Sequence, residues 1–93
     1  MAKGNQSFNQ LERIVKGFAN HRRLEILDLL SRDPELSVID ISERLRVNFK
    51  TISEHVRRMA IAGLVMKRYE GAAVRHKLTP RGFLTLKFLR TLE

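Results

Sequence analysis

A mainly α fold carrying one small β-hairpin is what this sequence predicts, on three observations. Five residues with short polar side chains, Ser7, Asn20, Ser37, Asn48 and Thr79, each precede a stretch with apolar residues at helical spacing. Between the fourth and fifth stretches, two short strand-forming runs flank Glu70-Gly71-Ala72, a turn sequence. A chain of 93 residues has room for one small core, so residues 1–93 form a single domain.

Residues 1–6 read as a flexible tail. Ser7 stands three residues before Gln10, the spacing of a capping box, and Phe8, Leu11, Ile14, Val15 and Phe18 then form one stripe. Asn20 caps a second helix over residues 21–32, with Leu24, Ile26, Leu27, Leu29 and Leu30 inward; Asp33-Pro34 ends it, because proline disfavours helix in the residue before it. Ser37 and Asp40 repeat the capping signal for a short third helix reaching Leu45. Asn48 opens a fourth over residues 49–62, with Ile52, Val56 and Met59 inward and Gly63 as terminator. Only Arg46, Val47 and Asn48 separate these two helices, which makes a helix-turn-helix.

Beyond Gly63, Leu64 to Tyr69 and Ala73 to Leu78 read as the paired strands. Thr79-Pro80 starts a last helix over residues 80–92, cap then proline at the first position. Its apolar residues, Phe83, Leu84, Leu86, Phe88, Leu89 and Leu92, spread nearly all round the wheel. One domain core covers about half of that circumference, so a second surface must cover the rest. The order of four helices, hairpin and helix is a winged helix-turn-helix.

Composition narrows the function. No cysteine is present, which excludes disulfides, thiolate metal sites and cysteine nucleophiles. His21, His55 and His76 are scattered over three elements without a metal spacing, and no paired carboxylates or Gly-rich phosphate loop appear. The expectation is therefore no metal, no cofactor and no enzyme. No apolar run nears the ~18 residues of a membrane span, so no membrane partner is expected and a cytoplasmic location is. The net charge of +8 is lopsided. Residues 1–47 hold eight basic and seven acidic side chains, whereas residues 48–93 hold ten and three. A positive excess gathered in the half with the fourth helix and hairpin points to a polyanion docking there.

From Phe18 to Leu78 the chain resembles the ArsR family of winged-helix repressors. Ala19-Asn20-His21-Arg22-Arg23-Leu24-Glu25-Ile26-Leu27 is similar to that family's Ala-Asn-Pro-x-Arg-Leu-x-Ile-Leu, and Leu36-Ser37-Val38 through Leu45 to its third helix. Thr51-Ile52-Ser53-Glu54-His55-Val56 resembles the recognition-helix Thr-Val-Ser-x-His-Leu, and Ala62-Gly63-Leu64-Val65 the Ala-Gly-Leu-Val that follows it. Leu78-Thr79-Pro80-Arg81-Gly82 looks instead like the step into the last helix of MarR-type regulators. Four departures stand out. Ser37-Val38-Ile39 replaces the Cys-Val-Cys of metal sensors, and neither Asp nor His follows Pro80. Arg46 occupies the turn position usually held by Gly, and Glu54 a position often held by Arg.

The resemblance implies a homodimeric repressor binding double-stranded DNA at an inverted repeat, its effector unknown. On the fourth helix the expected DNA contacts are Asn48, Lys50, Thr51, Ser53, Glu54, Arg57 and Arg58, with Glu54 able to accept a hydrogen bond from cytosine. The capped start of that helix also offers free N–H groups to a phosphate. Phe49, at the edge of the buried stripe, reads as packing. On the wing, Lys67, Arg68, Arg75 and Lys77 suit phosphate or minor-groove contact. The dimer face is expected to use Phe8, Leu11, Val15, Phe83, Leu86, Phe88 and Leu89. A winged-helix module that binds a protein partner is the alternative, and salt sensitivity discriminates the two.

Overall fold

The computed structural model describes residues 6–93; the expected tail therefore lies outside the described residues except for exposed Gln6. The elements run α1 (Phe8–Phe18), α2 (His21–Arg32), α3 (Val38–Leu45), α4 (Phe49–Ile61), β1 (Val65–Glu70), β2 (Ala73–Leu78) and α5 (Pro80–Arg90). Every expected cap forms. Ser7 and Ser37 make reciprocal boxes with Gln10 and Asp40; Asn20 and Asn48 each accept two backbone N–H bonds, and Thr79 accepts from Gly82 N. Gly63 adopts a positive φ of 76°, as its role of ending α4 requires.

The core gathers Ile26, Leu27, Leu29 and Leu30 of α2, Ile41 of α3, Ile52, Val56 and Met59 of α4, and Leu64, Val65 and Leu78 around the hairpin. α3 packs on α4 to form the helix-turn-helix, and β1 packs on α4. The turn between α3 and α4 holds Arg46 in the left-handed region at φ 57°, ψ 46°. A side chain there costs about 1 kcal/mol relative to an unstrained conformation.

β1 and β2 pair antiparallel, with Val65 opposite Leu78 and Glu70 opposite Ala73. A third segment joins them: Leu36 forms a single bridge with His76, with Glu35 N donating to His76 O over 2.8 Å and His76 N to Leu36 O over 3.0 Å. The hairpin is thereby fastened to the segment between α2 and α3. Glu35 takes a positive φ of 70° to make this connection.

α1 packs on the end of α4 where Gly17 is buried; a Cβ at Gly17 would overlap that of Ala62, the residue that caps α4. Phe8, Leu11 and Val15 face outward, Phe8 with 88% of its surface exposed. α5 presents two apolar faces. Gly82 is buried, and Leu86 and Leu89, four and seven residues on, fall on the same side and pack against the core. Helical period turns these two, both named for the dimer face, toward their own domain, where they are half-buried beside Leu24 of α2. Phe83, Leu84, Phe88 and Leu92 stay exposed. On these two helices the exposed large apolar residues are Phe8, Leu11 and Val15 of α1 and Phe83, Leu84 and Phe88 of α5.

Candidate nucleic-acid interface

The stripe of Ile52, Val56 and Met59 anchors α4 and turns its opposite face to solvent. Lys50, Thr51, Glu54, Arg57 and Arg58 are exposed there, and Ser53 is half-buried. Asn48, also exposed, accepts from Lys50 N at 2.7 Å and Thr51 N at 3.3 Å. These bonds occupy two N–H groups that the capped helix end was expected to offer to a phosphate, so that offer is reduced by the cap itself. Phe49 is 50% exposed, more than its expected packing role requires, because it sits at the end of the stripe where no further turn of helix covers it.

Glu54 is held from its own helix. Arg57 Nε and Nη2 donate to its two carboxylate oxygens at 3.0 and 2.8 Å, and Arg58 Nε donates at 2.7 Å. These bonds lower the Glu54 carboxyl to about 2, so it remains ionised at neutral pH. Acceptance from a cytosine amino group therefore competes with two guanidinium groups. Lys50 has no ion-pair partner among the described residues.

The four wing cations fall into two classes. Arg68 and Arg75 stand directly opposite one another, an arrangement that would repel. Two carboxylates compensate it. Arg68 donates to Glu35 at 2.6 and 2.9 Å, Arg75 Nε donates to Glu70 at 3.0 Å, and Arg75 Nη1 reaches the Glu35 carbonyl at 3.2 Å. Lys67 and Lys77 are exposed and have no ion-pair partner among the described residues. Glu70 was visible as a turn residue; nothing local in the sequence marks Glu35, whose partners lie 33 and 40 residues away.

Two of the three histidines hold elements together, and His21 is exposed. His76 is 1% exposed beneath the wing, and its Nδ1 donates to Leu36 O at 2.8 Å. His55 Nδ1 accepts from Arg23 Nε at 2.9 Å, which leaves its proton on Nε2. Arg23 Nη1 also donates to the Lys16 carbonyl at 2.9 Å, so one side chain ties α1, α2 and α4. Among the described residues no three His, Asp or Glu side chains converge to hold a metal, and no helix is long and apolar enough to cross a membrane.

The family described as bacterial regulatory protein, arsR family, matches residues 20–67. The transcriptional activator HlyU of Vibrio cholerae is 39% identical over 66 residues, covering 71% of this chain and 60% of that protein. The arsenical resistance operon repressor of Staphylococcus aureus is 37% identical over 65 residues, covering 70% and 62%. The matches thus span less than two thirds of these relatives' lengths. Among solved structures, the homodimeric winged helix-turn-helix DNA-binding domain Mb0332 from Mycobacterium bovis superposes with a TM-score of 0.82 at 27% identity, covering 96% of this chain and 88% of that one. HlyU from Vibrio cholerae superposes at 0.78 with 30% identity, covering 95% and 96%.

Proposed function

Because this chain belongs to the ArsR family of bacterial regulatory proteins, we propose that it is a homodimeric transcriptional repressor that binds double-stranded DNA in the cytoplasm. The observation that carries this reading is the outward face of α4, where Lys50, Arg57 and Arg58 are exposed opposite a fully buried stripe. A helix so rooted can enter a major groove as a rigid body, and the adjoining wing supplies Lys67 and Lys77 for the flanking backbone. The role is binding rather than catalysis, and neither metal nor cofactor takes part in it.

The open apolar surface of α1 and α5 supports pairing with a second copy, burying residues that a monomer would leave wet. Two-fold symmetry then calls for an inverted-repeat site with recognition helices about one DNA turn apart, ~34 Å. The matched family is one of regulators, which does not favour the protein-module alternative.

Selection of bound duplexes from a random pool tests this reading. Recovery of an inverted repeat is the expected result. A pool that never enriches, with a chain that sediments as a monomer at micromolar concentration, would overturn it.

A further inference from the structure

Away from the turn and the wing, α1, α2, α4 and α5 line an open groove of about 580 Å³. That is the size of sites that take small organic ligands. Six cations line it, Arg13, Lys16, Arg23, Arg57, Arg58 and Arg81, and no carboxylate does. Two nearby carboxylates answer part of this charge: Glu54 bridges Arg57 and Arg58, and Glu12 lies 3.1 Å from Lys16. The rest goes unanswered. Arg23 is fixed by neutral acceptors, the His55 ring and the Lys16 carbonyl, and Arg81 by the Ala62 carbonyl at 2.8 Å. Those bonds orient the guanidinium groups without neutralising them. Arg13 has no ion-pair partner among the described residues. The crowding registers at Arg23, whose pKa is lowered first by burial and then by the charge of Arg58. Ile14, Ile61 and Ala62 give the same groove an apolar wall.

We propose that this groove is a binding site for a small organic polyanion, a molecule with two or more phosphate or carboxylate groups on a compact body. Guanidinium forks match either group, and the apolar wall takes the body. Arg13 and Arg81 stand on α1 and α5, outside the helix-turn-helix and the wing, so the cluster is more than the solvated face of the recognition helix.

The site reaches the recognition helix through Glu54. An anion that engages Arg57 and Arg58 competes with Glu54 for the same donors and sets additional negative charge against the face that meets DNA. Occupancy therefore weakens DNA binding, and by linkage DNA weakens anion binding by the same factor. This coupling rests on the DNA-binding reading above; the site itself does not.

The test titrates the DNA-free chain with inorganic pyrophosphate and with citrate, ionic strength held constant with chloride, while the arginine Nε–Hε resonances are followed by NMR. Saturable binding of one anion per chain is expected, with shifts at Arg13, Arg57 and Arg58. The double variant Arg13→Ala, Lys16→Ala, whose circular-dichroism melt should match the wild type, should bind at least tenfold more weakly. A second arm measures duplex affinity with and without anion, and only the wild type should weaken. Absence of saturation with both probes, shifts confined to the wing, or unchanged affinity in the double variant would overturn the site. Binding in the first arm without any effect in the second would overturn the coupling alone, and a chain that binds no duplex leaves the first arm decisive.

Discussion

Arg23 holds His55 across 32 residues of sequence, its Nε donating to the imidazole Nδ1 over 2.9 Å. A donor aimed at that nitrogen demands a neutral ring. Burial first, and the charge of Arg23 second, lower the His55 pKa from its usual value. His76 is lowered too, by burial, against the opposing effect of its bond to the Leu36 carbonyl.

Both shifts carry one sign for stability. Each histidine takes up its proton more readily in the unfolded chain, near the ordinary 6.5, than in the folded one. Their contribution is thus fully present above that value and is lost as pH falls through it toward the folded pKa. Urea midpoints should fall between pH 7.5 and 5.5, and His55→Gln with His76→Gln should flatten the difference. A wild-type midpoint constant across that range would contradict this.

Glu54 makes the second prediction. Glu54→Gln removes the charge that binds Arg57 and Arg58 together and leaves both guanidinium groups available to phosphates. Affinity for unrelated duplexes should rise, and the slope of log affinity against log salt should steepen by about 1–2. Fluorescence anisotropy over a salt series checks it; an unchanged slope would mean the two arginines never approach DNA.

On the wing, Lys67→Ala or Lys77→Ala should weaken binding to all sequences alike, each flattening the salt slope by about 1. Arg68→Ala and Arg75→Ala should act mainly on folding, since these side chains already serve Glu35 and Glu70. Comparing thermal melts with salt slopes across the four variants separates the classes.

Leu84→Glu or Phe88→Glu, at exposed positions on α5, should give folded monomers in sedimentation. Leu86→Glu places a charge against the core and should lower the melting temperature instead. Equal behaviour of the three variants would refute the division of that helix into two faces.

Arg46→Gly should stabilise the chain by about 0.5–1 kcal/mol, because glycine reaches the left-handed conformation without the side-chain penalty, partly offset by its freer unfolded state. Equilibrium urea unfolding measures it.

The parts legible in the sequence are those decided within a few residues. Ser7, Asn20, Ser37, Asn48 and Thr79 each bond to a backbone N–H two or three positions on, so residue type and spacing suffice. The fold followed from these caps and the apolar periods, and the exposed face of α4 followed from its buried stripe. What stayed hidden depends on chain segments far apart. The Leu36–His76 bridge is one residue long and shows no alternation, and the Glu35–Arg68 pair spans 33 positions. For α5 the wheel showed apolar residues all round, and only the seat of Gly82 told which of them turn inward. The Glu54 bridge is a different case: its partners stand at the three- and four-residue spacings of a helix face and were within reach of sequence reasoning.

The clamp of Leu36 on His76 sits at the root of the hairpin, whereas Tyr69, Glu70, Gly71 and Ala72 extend beyond it into solvent. A beam fixed at one end can be lengthened at the other without loosening its mounting. Residues inserted between Gly71 and Ala72 would extend the reach of the wing along a duplex while the core kept its seat. An insertion beside Glu35 would instead break the fastening and set the hairpin adrift. Variation in how much DNA such a protein covers is therefore cheap at the tip and forbidden at the root.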